Sequence, residues 1–398
     1  MKKLIASALA LTSICAASAA DPAKTEKDSV AALQFTDIIT IPITSVKNQN
    51  KSGTCWCFAG TSFYENEIRK ATGDSLDLSE MYSVRHCYAD KADKYVRTYG
   101  KINFSPGGSA LDVPYVWSLY GAVPEEVYTG LQYGEDKHTH GELDATLKGY
   151  VDAVVKKPNR RVSTAWREGL DGILDAYLGK VPESFEYKGK TYTPQSFAAS
   201  LGISPENYIG LTSFTHHPFY QPFAIEVSDN WLWADYQNLP LDELRAVVDN
   251  ALANGYTVVW AADVSEPGFK WKEGKATMPV ETKEDLKGTE LSRWVKLDEE
   301  KSDKKDEAKA PEEIAVTQDS RQAMFDRQET TDDHGMEIVG LAEDQYGNKY
   351  YKVKNSWGTD HIYNGFIYVS MPYFDAKTMD IYVNKKAVPK NIAKKIGI

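Results

Sequence analysis

Cys55 and His334 are the residues of this sequence whose types and settings could carry nucleophilic chemistry. Cys55 stands in Gln49-Asn50-Lys51-Ser52-Gly53-Thr54-Cys55-Trp56, directly ahead of a helix-forming run. A sulfur at a helix start meets unpaired backbone N–H groups and the positive end of the helix dipole, and both favour the thiolate. Gly53 permits a close approach to that start, and Trp56 can shield it. Gln49, six residues upstream, can return a side-chain N–H to the place where an oxyanion would form. Of seven histidines, His334 is the candidate base because it precedes a β-branched run, a rigid support for an imidazole. Asn355 follows twenty-one residues later, in Lys354-Asn355-Ser356-Trp357-Gly358. Its carboxamide can fix one ring nitrogen while the other faces the sulfur, and Trp357 would cover that bond from water. The chemistry of such a set is acyl transfer through a thioester.

These residues need a helix and a strand-rich partner to bring them together. Phe35–Ile43 alternates and is β-branched, which predicts an extended segment. Cys55–Arg69 has helical apolar spacing, and Leu78-Ser79-Glu80 opens a second helix. Gly121 and Pro124 bracket a turn after the apolar stretch Leu111–Tyr120. From Gly141 to Asn254 the pattern reads as mostly helical, with loops at Pro158, Pro182 and Pro194. Leu241–Leu252 is amphipathic and closes at Asn254-Gly255. Thr257–Ala262, Glu337–Ala342, Tyr350–Lys354 and Gly365–Val369 then read as short strands. The expected architecture is α+β. Residues 20–254 form a mainly helical lobe carrying Gln49 and Cys55, and residues 255–398 form a β-rich lobe carrying His334 and Asn355. Lys296–Glu313 has 13 charged residues among 18, which predicts a solvated surface excursion of the second lobe.

Composition narrows the classes. Hydrophobic residues make up 42% and aromatics 12%, a globular profile. The formal charge of −11 opposes nucleic acid as a partner. Residues 1–19 read as a signal peptide. Lys2 and Lys3 form the charged end, Leu4–Ala17 is apolar but too short to span a bilayer, and Ala17-Ser18-Ala19 is the cleavage pattern. Export to the periplasm or medium is therefore expected, with the mature chain starting near Ala20. Lipid anchoring at Cys15 is disfavoured by the bulk of Ile14. No other run approaches a membrane span. Removing Cys15 leaves Cys55, Cys57 and Cys87, an odd number in an oxidising compartment, so one thiol must stay unpaired within the chain. Cys57, two residues along the helix, points away from Cys55 and is expected in the core. His216-His217 invites a metal reading, but adjacent positions are expected to diverge and no third ligand is evident, so neither metal nor cofactor is expected.

Five motifs taken together resemble the papain superfamily in its chain order: QNKSGTCW, DLSE, SPGG, DDHGMEIVG and VKNSWG. The overall pattern is similar to the bleomycin hydrolase/aminopeptidase C branch, to which Ser213–Tyr220 (SFTHHPFY) and Asp229–Trp233 (DNWLW) also bear likeness. The resemblance runs from about residue 35 to residue 388. It implies a two-lobe fold, a helical left lobe with insertions and a β-barrel-like right lobe, with the cleft between them. It implies Cys55 for attack, His334 for proton transfer, Asn355 for orientation and Gln49 for the oxyanion. Gly107-Gly108 would match the glycine pair whose backbone binds an extended substrate, although by themselves they read as an ordinary turn. Trp357 joins them as a substrate-side residue. Peptides are the implied substrates and an aminopeptidase the implied activity. A homo-oligomer, a hexamer in this branch, follows by analogy alone.

Ser52 occupies a position where papain-type signatures carry a cysteine, so the disulfide made there is absent and Cys87 should be free. The bleomycin hydrolase branch shares that serine. The tail Val388–Ile398 is short and basic beside the arm that fills the cleft in this branch, which leaves endopeptidase action open. Asp332-Asp333 could stabilise an imidazolium or merely form a solvated turn. Two rivals remain: a catalytically dead peptide-binding protein on the same fold, and a transglutaminase-like acyltransferase. The second leaves Gln49 and the Asn-Ser-Trp-Gly segment unexplained.

Overall fold

Buried on every side from Trp56 to Ile68, one helix organises the molecule around itself. A computed structural model describes residues 32–158, 160–280 and 312–398. The expected leader, and the charged run apart from Glu312 and Glu313, lie outside them. Strand β1 (Phe35–Thr40) precedes this central helix, α1 (Cys55–Thr72). Helix α2 (Glu80–Arg97) follows, and the Ser79 hydroxyl caps it by accepting from the Tyr82 N–H at 3.0 Å. Helix α3 (Asp112–Tyr120) completes a layer against α1 and α2. In α4 (Gly141–Val155), Leu143, Leu147 and Val151 share one buried stripe; in α5 (Ala165–Leu178), Leu170, Leu174 and Leu178 do the same.

The next segment departs from the helical expectation. A two-stranded ribbon, β2 (Phe185–Tyr187) and β3 (Lys190–Tyr192), leads to α6 (Pro194–Ser200). Pro194 starts this helix instead of forming a loop, because proline fits the first helical turn and Thr193 supplies the cap. Strands β4 (Tyr208–Thr212), β5 (Pro222–Ala224) and β6 (Asp235–Asn238) then add to the main sheet before α7 (Leu241–Ala253). Strand β7 (Val258–Ala262) and the short β8 (Phe269–Lys270) and β9 (Lys275–Ala276) follow. The chain continues through α8 (Gln318–Asp326), β10 (His334–Asp344), β11 (Lys349–Lys354) and β12 (Phe366–Ser370). It closes with α9 (Met371–Lys377), β13 (Thr378–Asn384) and α10 (Lys390–Ile396). β13 was not anticipated.

The main sheet runs β5-β6-β4-β13-β7-β10-β11-β12-β9-β8, with β1 also on β10. It is open, not the barrel-like lobe expected, since its ends β5 and β8 do not pair. Because β1 and β4–β6 join it, the elements do not divide cleanly at residue 254. β7 is buried on both faces. Val259 meets the α1 side, whereas Val258, Trp260 and Ala262 belong to a second core with Leu244, Val247 and Val248 of α7. That alternation places α1 and α7 on opposite faces of the sheet.

Candidate active site

Thr54 ends the loop before α1, and its carbonyl accepts from the Cys57 N–H at 2.9 Å, which leaves Cys55 at the first turn. The loop is pinned to the Asn355 segment. Gln49 N–H donates to the Ser356 carbonyl at 2.8 Å, and Gly358 N–H to the Lys47 carbonyl at 3.1 Å. The Gln49 side chain is held at both ends, with Nε2 donating to the Ser52 carbonyl at 2.8 Å and Oε1 accepting from Ser356 Oγ at 2.6 Å. One N–H of its amide is left over. Gly53 must be glycine, since a Cβ there would lie 2.5 Å from Pro106 Cγ. Trp56 donates its indole N–H to the Pro106 carbonyl at 3.0 Å, which fixes the wall on the other side.

His334 is the first residue of β10 and is buried. Its Nε2 lies 2.7 Å from Asn355 Oδ1, and the Ser356 N–H also donates to that oxygen at 2.7 Å. A backbone N–H can only donate, so the second bond fixes which end of the amide faces the ring. Nε2 carries the proton, and Nδ1 is the nitrogen left for the sulfur. The Trp357 ring lies over the imidazole, centroids 4.7 Å apart. Trp357 therefore acts as the cover for this bond.

Cys55 and His334 line one pocket with Trp56, Gly108, Ala110, Asp229 and Asp332. β10 rests on the start of α1: a Cβ on Gly335 would stand 3.0 Å from Trp56 Cα and 3.2 Å from its nitrogen. Burial pushes the Cys55 thiol up to about 11; the Gly335 N–H pulls it down, Asp332 pushes it up, and the Trp56 N–H again lowers it. Burial likewise pushes His334 down to about 4, against the Asn355 hydrogen bond and the Asp333 charge. Each lone charge is costly here. Passing the proton from sulfur to Nδ1 makes both charges at once, and each offsets the desolvation of the other.

Gly107 and Gly108 are glycines because of close approach. A Cβ on Gly107 would meet Asp229 Oδ2 at 1.9 Å, and one on Gly108 would meet Asp112 Oδ2 at 2.4 Å. The Gly107 carbonyl already accepts from Lys91 Nζ, so Gly108 is the glycine presented to the pocket. Cys55, Cys57 and Cys87 are all unpaired thiols. Cys57 sits in the core and donates to the Glu80 carbonyl at 3.2 Å, and the Ser52 hydroxyl donates to the Gln49 carbonyl at 2.9 Å. Asp333 is a turn residue whose carboxylate accepts from the N–H groups of Val264 and Ser265. Asp332 faces the pocket.

The structure corrects the histidine pair. His216 and His217 converge, with their Nε2 atoms 2.9 and 2.8 Å from the two oxygens of Glu226. Gln322 donates to His216 Nδ1 at 3.1 Å. That bond places the His216 proton on Nε2, where it is donated to Glu226.

Comparison with known proteins agrees with this geometry. The papain family cysteine protease model matches residues 34–113, and the peptidase C1-like family model matches 309–397. The sequence is 24% identical to aminopeptidase C of Lactobacillus delbrueckii subsp. lactis, over 89% of this chain and 83% of that protein. It is 24% identical to bleomycin hydrolase of Rattus norvegicus, over 87% of this chain and 82% of that one. The crystal structure of PepW from Lactobacillus rhamnosis superposes with a TM-score of 0.67 at 20% identity, covering 91% of this chain and 84% of that one, and so shares its fold. The chain matches papain-type peptidase models at both ends and is similar, over most of its length, to aminopeptidase C and bleomycin hydrolase.

In this papain-like chain the last residues lie away from the thiol. Ile392 and Ile396 of α10 pack into the core with α7, on the sheet face opposite α1. Lys395 pairs with Glu243 there. None of residues 388–398 lines the pocket of Cys55. Sequence reasoning missed Asp229 and Asp380 near that pocket. The signal for Asp380 was a lone charge inside the otherwise apolar strand Thr378-Met379-Asp380-Ile381-Tyr382-Val383.

Proposed function

We propose that this chain is a cysteine aminopeptidase that hydrolyses peptide substrates through a thioester acyl-enzyme. The observation that carries the reading is the meeting of a helix-start cysteine with an asparagine-fixed histidine in one pocket. The named activity of its relatives, aminopeptidases C and G, supports it. Cys55 attacks the carbonyl, and His334 Nδ1 takes the thiol proton and passes it to the leaving amine. The spare Gln49 N–H and the α1 N-terminus stabilise the oxyanion; water activated by the same imidazole then releases the acid. Asn355 holds the ring. Among the described residues no helix is long and apolar enough to cross a membrane. Export through residues 1–19 is part of the proposal, and N-terminal sequencing of the extracellular product should read from Ala20.

The test is Cys55→Ala against wild type on an alanyl fluorogenic amide. Expected is stoichiometric alkylation of wild type at Cys55 and a fall in kcat of roughly 10⁴-fold or more in the variant. Undiminished hydrolysis by the variant would end the reading.

A further inference from the structure

Four carboxylates crowd the wall beside Cys55, with one buried cation among them. Asp229 and Asp332 line the pocket itself. Asp380 lies across the sheet: it pairs with Ala261, which pairs with Gly335, so these positions share one face, and Ala261 and Gly335 also line the pocket. Asp112 is satisfied by the Trp231 indole N–H at 2.7 Å and the Ser109 hydroxyl at 3.2 Å. Lys91 donates to the carbonyls of Ser105 and Gly107 and lies near Asp112 and Asp229. Asp229 accepts from Asn103 at 3.0 Å. The other two acids differ. Asp380, 4% exposed, has a buried oxygen without a partner, and the half-buried Asp332 lies close to it. A fold that buries unpaired carboxylates keeps them at a cost unless a cation arrives.

We propose that this recess binds a primary ammonium group of the substrate, anchored by Asp332 and Asp380 with Asp229 at its rim. The carboxylates select the class: a primary ammonium offers three N–H donors to a wall that carries Asp229 and Asp332, with Asp380 on the adjoining strand. This deepens the aminopeptidase reading and rests on Cys55 as nucleophile: the α-ammonium of a peptide cleaved at its first bond lies next to the scissile carbonyl. A lysine side chain carries the same group. Burial, with Asp229, Asp333 and Asp112 nearby, pushes Asp332 up to about 7. Cys55, Tyr236 and Asp380 complete its surroundings, the last with its carboxyl held well above the usual range by burial and by Asp332. A bound ammonium favours the ionised form, so kcat/KM for free-amine substrates should climb with pH through about 7. It should fall again near 8, where the peptide amine loses its proton.

The experiment compares alanyl-aminomethylcoumarin with its N-acetyl twin, and N-acetyl-lysyl-alanyl-aminomethylcoumarin with its norleucyl counterpart. These are run on wild type, Asp332→Asn and Asp380→Asn, with iodoacetamide titration of Cys55 throughout. Expected is a loss of roughly 100-fold in kcat/KM on the free-amine substrate in each variant, with the acetylated twin changed less than threefold. The same selective loss on the lysyl substrate alone would uphold the recess as an ammonium site and move the ammonium to the side chain. Equal losses on charged and blocked substrates, or none, would overturn the proposal. Should Asp380→Asn fail to fold, the half-buried Asp332→Asn carries the test alone. Undiminished Cys55 labelling beside a failed selectivity shift rejects only this inference. Unlabelled, inactive wild type rejects the aminopeptidase reading instead.

Discussion

Two neighbouring rows of residues run across the same sheet face beneath α1, and they treat charge in opposite ways. One row is Lys354, Glu337, Val259 and Tyr382; the next is Gly335, Ala261 and Asp380. In the first, Glu337 accepts from Ser62 Oγ at 2.5 Å and Asn66 Nδ2 at 2.7 Å, while Lys354 donates to Ser62 at 2.7 Å and the Thr44 carbonyl at 3.0 Å. In the second, Asp380 has a buried oxygen with no partner, and the half-buried Asp332 beyond the strand end adds a like charge beside it. The contrast separates structure from function. Where the fold needs a buried charge for itself, it supplies the countercharge and the hydrogen bonds; where it withholds them, the opening leads to Cys55.

The comparison can be broken most forcefully in the first row. Glu337→Ala removes the acid linked to Lys354 through Ser62, strips Asn66 of its acceptor, and should cost about 3–5 kcal/mol in urea unfolding. Replacing both, Glu337→Leu with Lys354→Met, should recover most of that loss, because an apolar pair of similar volume needs no solvation. A double variant as unstable as the single one would show that the row is held by packing alone.

The second row should respond in the opposite direction. Burial and Asp332 raise Asp380 well above the usual carboxylate range, and Asp332 rises to about 7. An unfolded aspartate titrates near 4. Between those values the folded chain holds protons that the unfolded chain has released, so each acid lowers stability as pH climbs from about 4 toward 7. Asp380→Asn and Asp332→Asn should thus raise the thermal midpoint at pH 7 and leave it unchanged near pH 3.5. A gain that is equal at both pH values would contradict the sign. The smallest effect belongs to the far face, where Lys395→Ala should leave kcat/KM on free-amine and acetylated substrates unaltered.

Cys55, His334, Asn355 and Gln49 were legible because each sits in a local motif whose spacing already states its geometry. The helix Cys55–Thr72 and the strands carrying His334 and Asn355 were legible for the same reason, since apolar periodicity is a short-range signal. Strands β4–β6 were not. They are three to five residues long, and β4 pairs directly with β6 in parallel although β5 lies between them in the chain, a contact that no neighbouring residue announces. The convergence of His216 and His217 was missed because adjacent side chains diverge only in regular structure, and here Glu226, just past β5, draws both together at the surface. Asp380 was visible as a misplaced charge but could not be assigned to Cys55 until β13 was known to lie beside β7.

Gly335 leaves no room for even a methyl group between the strand of the base and the helix of the nucleophile. The two halves of the reaction are thereby welded at main-chain atoms, and their spacing does not depend on which rotamer a bulky neighbour adopts. Alanine at 335 would act as a wedge a few tenths of an ångström thick, and turnover would serve as the gauge that reads it.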